Sequence, residues 1–164
     1  MSNPVKVIII YASNSGSTYL TSQIIRDILL EQNLSVDLKK AVNTKPDEVS
    51  NYDVVLLGSP SWKVNGEEGS PHEYLLSFMA DCKNDQFANK KVAAFGCGDS
   101  SYLFFCVAAD VLDAFCQKVG GNKIQDPLKV DSFYFDLDNN VEKVKAWANK
   151  LAQMLVENKV SSLV

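Results

Sequence analysis

The chain has 164 residues, 46% hydrophobic and 22% charged, a balance that fits one domain spanning residues 1–164 with a core of its own. A net charge of −4, with Arg26 the sole arginine, argues against nucleic acid as a partner, because phosphate backbones are held by clustered lysine and arginine. No apolar run approaches the roughly 20 residues of a membrane span, and the Met1-Ser2-Asn3-Pro4 start lacks a charged-then-apolar signal pattern, so a cytoplasmic protein with no membrane partner is expected.

Val5-Lys6-Val7-Ile8-Ile9-Ile10-Tyr11-Ala12 is a β-branched run without polar alternation, which predicts a central strand buried on both faces. It empties into Ser13-Asn14-Ser15-Gly16-Ser17-Thr18, a turn with hydroxyls, an amide and a glycine at the start of a helical pattern. Unpaired backbone donors and the helix dipole favour an anion there, so the turn reads as a phosphate site or as a plain hydroxyl-capped helix start. It carries neither a Walker motif nor a dinucleotide fingerprint, and no lysine or arginine, which suits a monophosphate better than a triphosphate with magnesium.

Leu20, Ile24, Ile25, Ile28 and Leu29 recur at helical spacing and predict a helix over 18–32. Residues 35–39 alternate weakly as an edge strand, and the polar connection through Pro46 holds one helical turn before Asn51. A second buried strand, 54–57, ends in Gly58-Ser59-Pro60-Ser61-Trp62, followed by a loop over 63–71 with a turn signal at Asn65-Gly66. A helix over 72–82 buries Leu75, Leu76, Phe78 and Met79; a third buried strand over 91–95 then ends in Gly96-Cys97-Gly98-Asp99-Ser100-Ser101-Tyr102. Helical spacing resumes from Phe105 to a stop at Gly120-Gly121. A strand over 123–130, a connector over 131–139, and a last helix carrying Val141, Val144, Trp147, Leu151 and Met154 complete the pattern. Trp147 lies on that apolar stripe and reads as core; the tail from Lys159 reads as loose.

Alternating strands and helices imply a doubly wound five-stranded parallel sheet with helices on both faces and ligands at the C-terminal edge of the strands. The four cysteines, Cys82, Cys97, Cys106 and Cys116, have no C-x-x-C spacing, and with His72 they match no common zinc pattern, so they read as core thiols. His72 reads as an exposed, inert helix start. Trp62 and Tyr102 each follow a buried strand in a loop too polar to hold them as core, which points to a flat ligand sandwiched between them. With the turn at 13–18 on the same edge, the pattern points to flavin mononucleotide (FMN).

These stretches resemble the short-chain flavodoxins. Gly96-Cys97-Gly98-Asp99-Ser100-Ser101-Tyr102, with Phe105-Cys106 after it, is similar to that family's second flavin loop; Gly58-Ser59-Pro60-Ser61-Trp62 resembles its first, and residues 13–18 its phosphate loop. The likeness runs from Val5 to about Leu155 and includes Gln125-Asp126-Pro127-Leu128. It implies strand order 2-1-3-4-5, with phosphate bound by Ser13, Asn14, Ser15, Ser17 and Thr18 around Gly16. It also places ring and ribitol among Ser59, Pro60, Ser61, Trp62, Lys63, Gly66, Cys97, Gly98, Asp99, Tyr102, Phe105 and Cys106.

The implied function is low-potential one-electron shuttling by a monomer, in transient complexes with a reductase and an acceptor enzyme, with no catalytic residue. Asp99, Glu67 and Glu68 near the ring would disfavour the anionic reduced flavin. Lys63 stands where the family often has glycine, in a loop about one residue longer. A peptide rotation that stabilises the flavin semiquinone would therefore be strained at Lys63-Val64, unless Asn65-Gly66 has taken over the turn.

Other readings of the topology fare worse. A receiver domain needs acidic residues where Ser13-Asn14 and Ser59-Pro60 stand, and a low-molecular-weight tyrosine phosphatase needs a thiolate and arginine in the first loop. An FMN-dependent NAD(P)H:quinone reductase remains the competing enzyme, and a flavin-free scaffold the plain alternative.

Overall fold

The computed structural model describes residues 3–162, and all structural statements concern those residues. The strand β1 (Lys6–Tyr11) leads to α1 (Ser17–Glu31) and the edge strand β2 (Ser35–Lys40). Two 3₁₀ turns, Ala41–Asn43 and Pro46–Asn51, then reach β3 (Val54–Pro60). Residues 63–71, expected as a loop, instead form most of a hairpin of β4 (Trp62–Val64) and β5 (Glu67–Ser70). Asn65 and Gly66 have φ of 50° and 84° at its tip, the two successive positive angles of the tight turn that matches strand twist.

After α2 (Glu73–Asp81) come β6 (Lys91–Gly98) and α3 (Val107–Lys118). The strand expected over 123–130 is split into β7 (Asn122–Lys123) and β8 (Leu128–Asp131), both parallel to β6. Pro127 has no N–H to offer a ladder, and the buried Gln125 turns away to donate from Nε2 to the Trp147 carbonyl at 3.0 Å. The spatial order is β2-β1-β3-β6, with β7 and β8 sharing the fifth place, so the expected order holds while the fifth strand is broken.

Side chains of the central strands alternate between two cores, as the period-2 pleat requires. Val7, Ile9, Val54, Leu56 and Phe95 pack with Ile25, Leu29, Val144 and Leu151 of α1 and α4 (Leu137–Ser162). Ile8, Ile10, Val55, Leu57 and Val92 face Leu75, Phe78, Leu112 and Cys116 of α2 and α3. Helix α4 starts inside the expected connector and continues through the tail expected to be loose from Lys159; residues 163–164 lie outside the described residues. Trp147 is half-buried against the first core and donates from Nε1 to the Asp126 carbonyl at 2.9 Å, so it seals an edge rather than filling the centre.

Candidate cofactor site

Because β1, β3 and β6 are parallel and in register, their C-terminal ends lie side by side, and the loops that leave them meet on one edge of the sheet. Between them opens a cavity of about 510 Å³. Ser15 and Ser17 line it from the first loop, Pro60, Ser61, Trp62 and Lys63 from the second, and Cys97, Gly98, Asp99 and Tyr102 from the third. Trp62 is 56% exposed and Tyr102 72%, so neither ring is held by the core.

The first loop is shaped by Gly16, whose φ of 93° an L side chain tolerates poorly and whose missing Cβ would stand 3.1 Å from the Tyr134 hydroxyl. Its N–H donates to Ser13 Oγ at 3.0 Å. Ser13, Asn14 and Gly16 line an adjoining hollow with Tyr11, Tyr19, Lys40 and Tyr74 rather than the main cavity. Thr18 is fully buried, and its Oγ1 has no hydrogen-bond partner within the protein. A buried hydroxyl left alone is costly. An anion seated at the helix start would supply the acceptor it lacks, so the residues present fit a phosphate-bearing cofactor.

The second and third loops are stitched together. Ser61 N–H donates to the Cys97 carbonyl at 3.0 Å, and Ser61 Oγ accepts from Ala108 N–H in the first turn of α3 at 3.0 Å. Asp99 accepts from both the backbone N–H and the hydroxyl of Ser101, at 2.8 and 2.6 Å, and these bonds lower its carboxyl pKa. Asp131 holds Ser100 in the same way, with the same direction of shift. Burial pushes the Cys97 thiol up, while the Thr21 hydroxyl, whose Oγ1 lies 3.4 Å from its sulfur, pulls it back.

Several residues named from the sequence lie behind this wall. Ser59 is fully buried; its Oγ donates to the Pro60 carbonyl and accepts from His72 N–H, which ties β3 to the start of α2. Cys106 is buried at φ 50°, its thiol directed at the carbonyls of Gly96 and Val130 at 3.7 and 3.6 Å and its pKa pushed by burial up to about 12. Phe105 is half-buried outside the lining and Phe104 takes the place beside Tyr102, because the chain from 101 to 106 is a series of turns that α3 joins only at Val107. Gly66 sits at the hairpin tip, and of the two nearby glutamates Glu68 reaches the cavity and Glu67 does not. His72 is buried rather than exposed, because its Nδ1 caps α2 by accepting from Tyr74 N–H at 3.1 Å. The motifs missed Ser132, Phe133, Tyr134 and Phe135, which complete the wall. The available signal was three consecutive aromatics in a polar connector.

A doubly wound α/β protein with hydroxyls at the first helix start and two exposed aromatics at neighbouring strand ends belongs to the class that binds a flat mononucleotide at its sheet edge. The flavodoxin family profile matches residues 9–155, and the chain belongs to that family. It is 34% identical over 143 residues to probable flavodoxin 1 of Bacillus subtilis, covering 87% of each chain. With a flavodoxin of Maridesulfovibrio salexigens it shares 28% over 151 residues, 92% of this chain and 99% of that one. The crystal structure of oxidised flavodoxin 2 from Bacillus cereus superposes with a TM-score of 0.79 at 30% identity, covering 94% of this chain and 99% of the other.

Proposed function

We propose that the whole chain acts as one FMN-binding domain and serves as a low-potential electron carrier, not an enzyme. The observation that carries the assignment is the cavity at the sheet edge: two exposed aromatics border it, and the unpartnered Thr18 hydroxyl lies buried in the first turn of the adjoining helix. Bound FMN supplies the one-electron chemistry. The protein binds, orients and tunes it.

Ser15, Ser17 and Thr18 hold the phosphate, with Ser13, Asn14 and Gly16 shaping the turn from the adjoining hollow, so that neutral donors and the start of α1 stand in place of lysine or arginine. Trp62 and Tyr102 take the ring between them, with Pro60, Ser61, Lys63, Cys97 and Gly98 completing the walls. Ser59, Gly66, Phe105 and Cys106 support those walls from behind. Asp99, its ionised form favoured by Ser101, and Glu68 place negative charge along the cavity. They oppose further negative charge there, which favours passing electrons on.

Its redox partners bind transiently at the open cavity edge and the chain works as a monomer in the cytoplasm; among the described residues no helix is long and apolar enough to cross a membrane. Extraction and chromatography of the bound flavin test the assignment, with one FMN per chain expected. FAD, or no flavin affinity in folded protein, would overturn it. Sustained NADPH:quinone turnover by the purified protein would favour the reductase reading instead.

A further inference from the structure

The turn over residues 132–135, just after β8, adds a further side to the cavity. It is held firmly. Phe133 is buried, with its ring edge-to-face with Tyr134 at a centroid distance of 5.3 Å. Asn140 Nδ2 donates to the carbonyl of Asp131 at 2.9 Å and lies 3.3 Å from that of Phe133, and Ser132 N–H donates to the Gly98 carbonyl at 2.8 Å. From this base the Tyr134 phenol reaches the opposite loop and donates to the Ser15 carbonyl at 3.1 Å.

That carbonyl belongs to the same peptide unit as the Gly16 N–H. In a trans peptide the two groups point in opposite directions, and here both ends are taken: the carbonyl by Tyr134, the N–H by Ser13 Oγ at 3.0 Å. Glycine at 16 makes this peptide easy to turn over. Its rotation would swing the negative end of the carbonyl away from Tyr134 and disturb the turn that adjoins the helix start. We propose that Tyr134 is a positioning residue for the cofactor phosphate, a latch across the cavity that locks the Ser15-Gly16 peptide in its anion-tolerant orientation. The proposal rests on the FMN reading above.

Tyr134→Phe removes only the latch hydroxyl from a half-exposed ring. Titrating apoprotein by quenching of flavin fluorescence, we expect the Kd for FMN to rise about threefold to tenfold, the range of one neutral hydrogen bond. Riboflavin affinity and the apoprotein melting temperature should stay unchanged, and the phosphorus NMR shift of bound FMN should move. Tyr52→Phe, which removes a phenol hydroxyl that donates to Asp37 outside the cavity, is the control and should keep the preference for FMN over riboflavin. An unchanged FMN affinity in Tyr134→Phe, an equal loss for both flavins, or the same change of preference in the control would overturn the latch while leaving the FMN assignment standing. Wild-type protein showing no preference for FMN over riboflavin would overturn both.

Discussion

Thr18→Val separates what the first helix turn does for the fold from what it does for the cofactor. The exchange keeps the shape of a fully buried side chain and deletes a hydroxyl with no partner in the protein. An unsatisfied buried hydroxyl costs about 1 to 3 kcal/mol, so the apoprotein should become more stable. For a chain of this size each kcal/mol is worth about 2 to 4 °C in melting temperature. At the proposed phosphate site the same hydroxyl would donate to a charged phosphate oxygen, a bond worth about 1.5 to 3 kcal/mol. At about 1.4 kcal/mol per tenfold, the Kd for FMN should rise about tenfold to a hundredfold while that for riboflavin hardly moves. Calorimetry of the apoprotein and fluorescence titration with both flavins measure the two effects. A less stable apoprotein together with equal loss of both flavins would show that Thr18 is an ordinary packing residue, and the phosphate would have to sit elsewhere.

Trp62→Ala and Tyr102→Ala should each weaken FMN and riboflavin alike, about tenfold for the loss of one stacking face of about 1.5 kcal/mol, without lowering the apoprotein melting temperature, since both rings are exposed; a loss confined to FMN would remove them from the ring site. Burial lowers the pKa of His72 below 6.5, so the unfolded chain takes up the proton first: its contribution to stability is intact above about pH 6.5, declines as the pH falls and levels off below the folded pKa. His72→Asn keeps an acceptor for Tyr74 N–H and should flatten that part of the pH dependence of the melting temperature between about pH 8 and about pH 5; identical curves for both proteins would refute it. Gly66→Ala forces a side chain to φ 84° at the hairpin tip, where an added Cβ touches nothing. The strain of about 1 to 2 kcal/mol should loosen the hairpin and weaken both flavins, while Lys63→Gly, in a strand, should not; the reverse ranking would move the working turn to Lys63-Val64.

Local patterns were enough for the architecture and for three walls of the site. The β-branched runs at 5–12 and 54–57, with the apolar run at 91–95, declare strands buried on both faces, while the order of those strands was legible only through the family resemblance. Because parallel strands end on one edge, the hydroxyl turn, the Trp62 loop and the Tyr102 loop had to meet. Asn65-Gly66 named its own turn, since successive positive φ angles suit that dipeptide. Tertiary structure decided matters that depend on residues far apart in the chain. Ser59 and His72 look like a loop hydroxyl and a surface imidazole until their contact 13 residues apart buries both. Phe104 rather than Phe105 faces the cavity because Cys106, at positive φ, sets where α3 begins. The fourth wall meets the first loop through a bond between Tyr134 and Ser15, 119 residues apart. No periodicity or turn preference encodes it, because the energy that places Tyr134 comes from Phe133 in the core and Asn140 on the next helix, neither of which bears on Ser15 until the chain is folded.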